Sequence, residues 1–532
     1  MKQQSTGKGF AYLSMAELLV KIMSVVYVPL LVRILGNVGH GIYAVSYEAF
    51  TLIYVLTNEG IQRGIAKLIS ELHAKGNPRD ALRAFRLSRT LLIGAGLFAS
   101  LLLFFMAPFI ANAADTAEAT LSIRALAPTV LITSILSAYR GYFLGRSYVT
   151  YNAISKILEQ VVNVAVSLGG AYLLMKVGLA YGVAGGTLGT SIGALAAVIL
   201  LVREFYKARL HKVKRKDQNP EAYHHTSKEL VRKLLSYAFP ITLSAGMMHI
   251  GGFIDMFIVN NRLRDAGLLF AAAKTAFSEL TRFKTLLFVP NTIVVALAAV
   301  LLPGVSAANA VGDAESVKRK INYAVKMVFL VTVPSFVGMT ILAQPIYDIL
   351  YPGKGGVDLL RYGSITVIFL GFIQIQNVIF QGLGKFYWGT ITMVSGILMR
   401  LVINYILVGI PEVNIMGALV SNFANYFVPF VANHILITRV LKYDVKLART
   451  SVGPIISAAL MGIVIFLVGR LFGMLDLGYA FQSILTFVNI AVGGGVYAAS
   501  LLLTGSVTKT DLKEISPKLY RMVPQGIRRR MK

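Results

Sequence analysis

Residues 181–216 read YGVAGGTLGTSIGALAAVILLVREFYKARLHKVKRK: 22 residues without a charge, then 14 of which 7 are Lys or Arg. A bilayer core about 30 Å thick is crossed by roughly 20 apolar helical residues. The first part is therefore long enough to span a membrane. The second has the composition of a loop kept on the cytoplasmic side. Gly185, Gly189 and Gly193 recur every fourth residue and share one helix face, where the missing Cβ lets a neighbouring backbone come close. No P-loop pattern accompanies them, so they are read as helix packing and not as a nucleotide site.

The same pattern extends in both directions. Of 532 residues, 56% are hydrophobic and 14% charged, where a soluble domain carries about a quarter charged residues. Apolar runs predict helices at 10–34, 40–63, 90–111, 121–144, 152–175, 181–203, 236–260, 276–302, 322–343, 364–383, 388–409, 415–437, 452–473 and 478–503. None alternates with period two in ten-residue units, which excludes a strand barrel. The expectation is an all-α polytopic membrane protein with fourteen transmembrane helices. The first run follows Lys2 and Lys8, as in a signal peptide, but it continues to Leu35 and is read as a retained helix. With no cysteine in the chain, disulfide and thiolate chemistry are excluded.

The net charge of +28 could suggest a nucleic-acid partner, but its placement argues for a membrane. Basic residues gather after even-numbered spans: Arg79, Arg83, Arg86 and Arg89; Lys212, Lys214, Arg215 and Lys216; Lys318, Arg319 and Lys320; Arg439 and Lys446; and Arg528, Arg529 and Arg530 in the tail. The other side holds a sparse mixture, among it Asp115, Glu118, Lys176, Glu412 and Asp476. That bias predicts a multi-pass protein of a bacterial-type plasma membrane with both termini cytoplasmic. Membrane lipids are the expected partners, nucleic acid is not, and a monomer is expected. His211, His224 and His225 share a basic loop without cysteines, so no metal site is expected.

The polar stretch 207–233 divides the chain into an expected first lobe, 1–206, and second lobe, 234–440, each of six spans. Two further spans follow at 441–505, and a basic tail at 506–532. Internal repeats support the division. Arg140-Gly141, Glu159 and Asn163 correspond, 241 residues on, to Gln381-Gly382, Arg400 and Asn404. Gly182-Val-Ala-Gly185 likewise resembles Asn414-Ile-Met-Gly417. Six spans per repeat give both copies the same orientation, a pseudo-symmetric transporter arrangement with the substrate path between the lobes.

Particular residues carry a family likeness. Lys21, PLLVRILG at 29–36, Gly41-Ile-Tyr43, Gly60 and IAKLIS at 65–70 resemble the multidrug/oligosaccharidyl-lipid/polysaccharide (MOP) exporter superfamily. The polysaccharide-transport branch, around stage V sporulation protein B and the MurJ-type lipid II flippases, is most similar. RGYFLG at 140–145 with Ile157, Glu159 and Gln160 is the most specific match, and Pro240, Asp255 and LLPGVS at 301–306 extend it. The resemblance implies a flippase that turns an undecaprenyl-pyrophosphate-linked saccharide precursor from the inner to the outer leaflet by alternating access. Where the MurJ-type proteins carry several arginines in the first helix, this chain carries Glu17 and Lys21.

A charge at membrane depth costs about 2.5 kcal/mol or more unless protein or water surrounds it. Glu17 and Lys21, four residues apart, either neutralise each other or line a cavity. Counting from residue 10, Lys21 lies roughly 16 Å deep, where a lipid pyrophosphate would need a cation. Glu159 and Arg400, at matching repeat positions, either form a pair across the lobes that opens during transport or belong to separate pairs. Glu48 and Asp255 either carry a coupling H⁺ or Na⁺ or serve as partners for Arg33 or Lys21. Lys274, Ser278 and Arg282 share one face near the outer side, as a cationic rim, although Arg282 can also pair with Glu279. Arg140 closes its span where a headgroup could enter, or else reaches lipid phosphate.

Substrate and cavity residues are thus expected at Lys21, Glu17, Arg140, Arg282 and Arg400, and coupling or gating residues at Glu48, Glu159 and Asp255. No catalytic residue and no cofactor beyond a coupling ion is expected. HExxH and GxSxG are missing, and the outer loops are short and poor in carboxylates, which argues against a membrane glycosyltransferase. The competing reading within the same fold is a cation-coupled multidrug exporter.

Overall fold

The computed structural model describes residues 6–213, 218–442, 447–474 and 478–507. The described residues form helices and no strand: α1 (Thr6–Ala74), α2 (Pro78–Ala113), α3 (Ala119–Gly145), α4 (Val149–Leu174), α5 (Leu179–Lys207), α6 (Ser227–Asp265), α7 (Phe270–Ala310), α8 (Ala314–Ile341), α9 (Ala343–Leu350), α10 (Val357–Gly363), α11 (Thr366–Gly382), α12 (Phe386–Leu407), α13 (Ile415–Leu441), α14 (Leu447–Gly473) and α15 (Tyr479–Leu503).

The first two expected spans fall in α1, whose 69 residues would reach about 100 Å if straight. The helix breaks at Gly36, where φ is 72° and ψ 178°. No atom lies within 4 Å of the place a Cβ would take, so the position needs glycine for its backbone angle and not for room. Among the described residues, 12 helices are long and apolar enough to cross a membrane, or up to 13 if α10 and α11, bent by 55°, form one span. The expectation of fourteen counts the two arms of α1 separately. Lys214, Arg215, Lys216, Lys446, Asp476 and the tail arginines lie outside the described residues.

The chain divides into two compact units, Met1–Arg282 with Ile397–Ser421, and Phe283–Gly396 with Asn422–Lys532. These limits do not coincide with the expected edges at 206, 233, 440 and 505. In the first unit the second arm of α1 packs on α6 through small residues: a Cβ on Gly60 would run into Thr242, and one on Gly64 into Ala238. The glycine face of 181–203 does what its spacing implies. Cβ atoms on Gly185, Gly189 and Gly193 would strike the α4 backbone at Gly170, Asn163 and Glu159. In the second unit a buried core including Val294, Val328, Phe372, Phe380 and Ile465 joins α7, α8, α11 and α14. Asn489 of α15 donates to the Ile465 carbonyl of α14 at 2.9 Å, and the Tyr497 hydroxyl to the Leu330 carbonyl of α8 at 3.1 Å, tying α15 to both helices.

The repeat is visible in the packing of its glycines. Gly141 on α3 packs against Gln62 and Ile65 of α1, and its counterpart Gly382 on α11 packs against Val305 and Ser306 of α7. Gly185 meets α4 at Gly170, and its counterpart Gly417 meets Leu407 and Val408 at the end of α12.

Candidate transport residues

Two buried ion pairs dominate the first unit. A tight turn in which Ser147 takes φ 60° sends α4 back along α3. That places Glu159 and Ser155, one turn apart, beside Arg140: Nη2 donates to Glu159 Oε2 at 2.7 Å and Nε to Ser155 Oγ at 3.1 Å. Asn152, on the same face, donates to the Arg140 carbonyl at 3.0 Å. The second pair joins α6 to α12. Arg400 grips both carboxylate oxygens of Asp255, with Nε to Oδ1 at 2.9 Å, and Asn404 donates to the same Oδ1 at 2.7 Å. Arg400 and Asp255 are 4% and 2% exposed, so each charge depends on the other for its solvation. A Cβ on Gly251 would occupy the place of the Arg400 guanidinium.

In this structure the contacts follow the second of the two readings given for Glu159 and Arg400, separate pairs. Glu159 and Arg400 do not meet in this structure, because each has a partner on the helix packed beside it. The repeat relation equates their positions, but the charges are satisfied inside separate clusters. Asp255, offered above as a partner for Arg33 or Lys21, accepts from Arg400.

The pairing expected within the first helix is corrected. Glu17 Oε1 lies 2.8 Å from Lys156 Nζ of α4, in a half-exposed pair. Helix α4 runs alongside α1, and Lys156 reaches Glu17 from the neighbouring helix, where Lys21 lies one turn further along α1. Lys21 is half-buried and has no ion pair or hydrogen bond among the described residues. Glu48, on the second arm of α1, sets its carboxylate against Gly252 of α6, where a Cβ would clash with it.

The Lys274, Ser278 and Arg282 stripe lies on one face as predicted, but it is fully buried and forms no rim. Gly41 is the reason: a Cβ there would collide with the Lys274 carbonyl, so the two helices touch backbone to backbone. His40 Nδ1 then reaches Ser278 Oγ at 2.9 Å, and Lys274 Nζ donates to Asn260 Oδ1 at 2.9 Å. Glu279 and Arg282 approach to 3.9 Å.

An aromatic ladder was not read from the sequence. The rings of His40, Tyr43, Tyr47, Phe50 and Tyr54 meet in succession along α1, the first three stacked, Tyr47 and Phe50 edge to face, and Phe50 and Tyr54 tilted, with centroids 5.1–5.9 Å apart. The Tyr27 hydroxyl from the first arm lies 3.4 Å from that of Tyr43, and Tyr47 lies 3.4 Å from Thr190 of α5. The signal was present as aromatic residues recurring at three and four residues, the spacing of one helix face.

Comparison with known proteins agrees with this architecture. A family model described as polysaccharide biosynthesis protein matches residues 6–309. The chain is 23% identical over 513 residues to the lipid II flippase MurJ of Bacillus subtilis, covering 92% of this chain and 94% of MurJ. It is 24% identical over 525 residues to stage V sporulation protein B of the same organism, covering 98% and 100%. The inward-facing structure of a multidrug resistance MATE family transporter of the MOP superfamily superposes with a TM-score of 0.66 at 18% identity, over 81% of this chain and 96% of that one. The likeness is one of fold: an all-α, MATE-like transporter architecture.

Proposed function

Because the chain belongs to the polysaccharide biosynthesis protein family, within the MOP superfamily, we propose that this multi-pass membrane protein is a flippase for a lipid-linked saccharide. It turns an undecaprenyl-pyrophosphate-type cell-envelope precursor from the inner to the outer leaflet by alternating access, without catalysing a reaction. The observation that carries this reading is similarity along nearly the whole chain to a protein named as a lipid II flippase. The membrane is of bacterial plasma-membrane type, with both termini in the cytoplasm, in keeping with the distribution of Lys and Arg between loops.

Lys21 is the residue assigned to the diphosphate. Its ammonium is deep in α1 and has no counter-charge among the described residues, and a phosphate oxygen would supply one. Arg140 and Arg400 already hold carboxylates, so in this state their charge serves the framework before any headgroup. Glu48 and Asp255 are the two acids assigned to a coupling H⁺ or Na⁺; in this state the Asp255 carboxylate accepts from Arg400 and Asn404.

The test is reconstitution of the full chain in liposomes with candidate lipid-linked saccharides, scoring headgroups exposed on the opposite leaflet. Protein-dependent exposure is expected for at least one such lipid. The structural likeness to MATE transporters favours a second reading, a cation-coupled exporter of amphiphiles. Extrusion of a cationic dye down an imposed ion gradient, with no lipid moved, would select it.

A further inference from the structure

The sequence reading leaves 207–233 as a solvated basic loop. From Gln218 onward it is instead a strap bound to the turn between α1 and α2. The Asn219 amide donates to the Gly76 carbonyl at 2.8 Å, Gln218 Nε2 to Asn77 Oδ1 at 3.1 Å, and Asn77 Nδ2 to the Tyr223 carbonyl at 2.9 Å. Arg83 donates to the His225 carbonyl at 3.1 Å and to Ser227 Oγ at 2.6 Å. At the centre lies His225, buried against α2. Its amide donates to Asp80 Oδ2 at 2.8 Å, its Nδ1 lies 3.2 Å from the same oxygen, and its Nε2 lies 2.9 Å from Lys233 Nζ.

Chemistry assigns the protons. An ammonium can only donate, so Nε2 must be the accepting nitrogen, and Nδ1 therefore carries the hydrogen that it gives to the Asp80 carboxylate. Neutral His225 is thus shared between Asp80 of α2 and Lys233 of α6. Around it stand Arg83 on α2, Tyr223 on the strap and Glu229 on α6, which is occupied by the Thr226 cap and the Tyr223 hydroxyl. Lys233 has a second acceptor nearby: Glu71 Oε1 of α1, 3.9 Å away, which also binds Lys75 at 2.7 Å. The Tyr237 hydroxyl holds the other Glu71 oxygen at 2.7 Å.

We propose that Asp80, His225 and Lys233 form a proton-operated latch that ties the strap to α6. A proton added at His225 Nε2 converts the acceptor into a donor facing an ammonium. The imidazolium stays on Asp80, Lys233 swings to Glu71, and α6 loses this tie to the strap. Imidazole is the side chain that makes this change between pH 5 and 8. The latch thereby links proton concentration at this end of the protein to the joint that leads into the second half of the chain. It does not depend on the substrate.

Zero-length carbodiimide cross-linking of the full chain in bilayers, read by mass spectrometry, tests it. The Glu71–Lys75 cross-link is the internal reference for the effect of pH on the reagent. The ratio of Glu71–Lys233 to Glu71–Lys75 product should rise several-fold from pH 8 to pH 5.5 in the unsubstituted protein. It should stay flat in His225→Gln, whose amide can accept from Lys233 but cannot titrate in this range. Asp80→Asn, which removes the counter-charge of the imidazolium, should move the rise to lower pH. A flat ratio in the unsubstituted protein, the same rise in His225→Gln, or an unmoved rise in Asp80→Asn each overturns the latch.

Discussion

Replacing Asp255 with Leu removes the carboxylate from a guanidinium that is 4% exposed and donates to it through two nitrogens. Asn404 Nδ2 loses an acceptor in the same change. Stranding a buried charge in this way costs about 3–5 kcal/mol, and the orphaned amide adds about 1 kcal/mol. Since about 1.4 kcal/mol is a factor of ten, the folded-to-unfolded ratio should fall by at least about a hundredfold at a fixed denaturant concentration. Arg400→Leu should cost less, because Asn404 still donates to Asp255. The double change Asp255→Leu with Arg400→Leu removes both charges and leaves an apolar contact, so it should return to within about 1–2 kcal/mol of the parent. The assay is a denaturing-detergent titration of the purified full chain for all four proteins, analysed as a double-mutant cycle. Single losses that simply add in the double variant would refute mutual solvation of the pair. The same reasoning condemns the reversal Glu159→Arg with Arg400→Glu. The first change would face Arg140 and the second Asp255, so the double should be worse than either single change, and recovery of transport by it would instead support a gate between Glu159 and Arg400.

Lys21→Ala should abolish transport while the protein still accumulates in the membrane, and Lys21→Arg should keep part of the activity, since charge survives but the compact ammonium does not; normal transport by Lys21→Ala would remove the residue from the site. Gly193→Leu drives a side chain into the Glu159 carbonyl of α4, so it should lower the thermal midpoint by the equivalent of about 1–3 kcal/mol of overpacking. Ile192→Leu, at the exposed neighbouring position, is the control and should stay within about 0.5 kcal/mol of the parent; equal midpoints for the two variants would refute the close α4–α5 approach. In this cysteine-free chain, Asn219→Cys should be shielded from impermeant thiol reagents in intact cells while Asp476→Cys labels; the reverse pattern would invert the topology. Glu17→Gln should cost about 1 kcal/mol or less, as befits a half-exposed pair with Lys156, and a large loss of stability on the same titration would point to a deeper role.

The span pattern and the glycine face were legible because both depend on periodicity within one helix, which a single segment reports. Partnership was not. Asp255 and Arg400 are 145 residues apart, and no spacing in the sequence says that α6 and α12 lie side by side. The repeat offset pointed instead to Glu159 and Arg400, because it reports equivalent positions and says nothing of which side chains touch. The stripe at Lys274, Ser278 and Arg282 was assigned the correct face and the wrong exposure. Its burial is decided by Gly41, on another helix, whose missing Cβ admits the Lys274 backbone. Glu17 pairs with Lys156 and not with Lys21 for a related reason, since an i, i+4 neighbour is only one of the cations a helix in a bundle can meet.

The composition of the first unit bears on how the protein is made. Its helices up to Arg282 are synthesised in order, but Ile397–Ser421 completes it only after much of the second unit has been translated. Asp255 therefore waits 145 residues for Arg400, roughly 7–30 s at a rate of about 5–20 residues per second. During that interval an acid destined for the interior lacks the Arg400 guanidinium, and neutralisation by a proton or a lingering stay beside the insertion machinery would offset that loss. A ribosome stalled after α7 would leave a first half whose sequence is intact but whose last helix has yet to be delivered, a natural point for quality control to act.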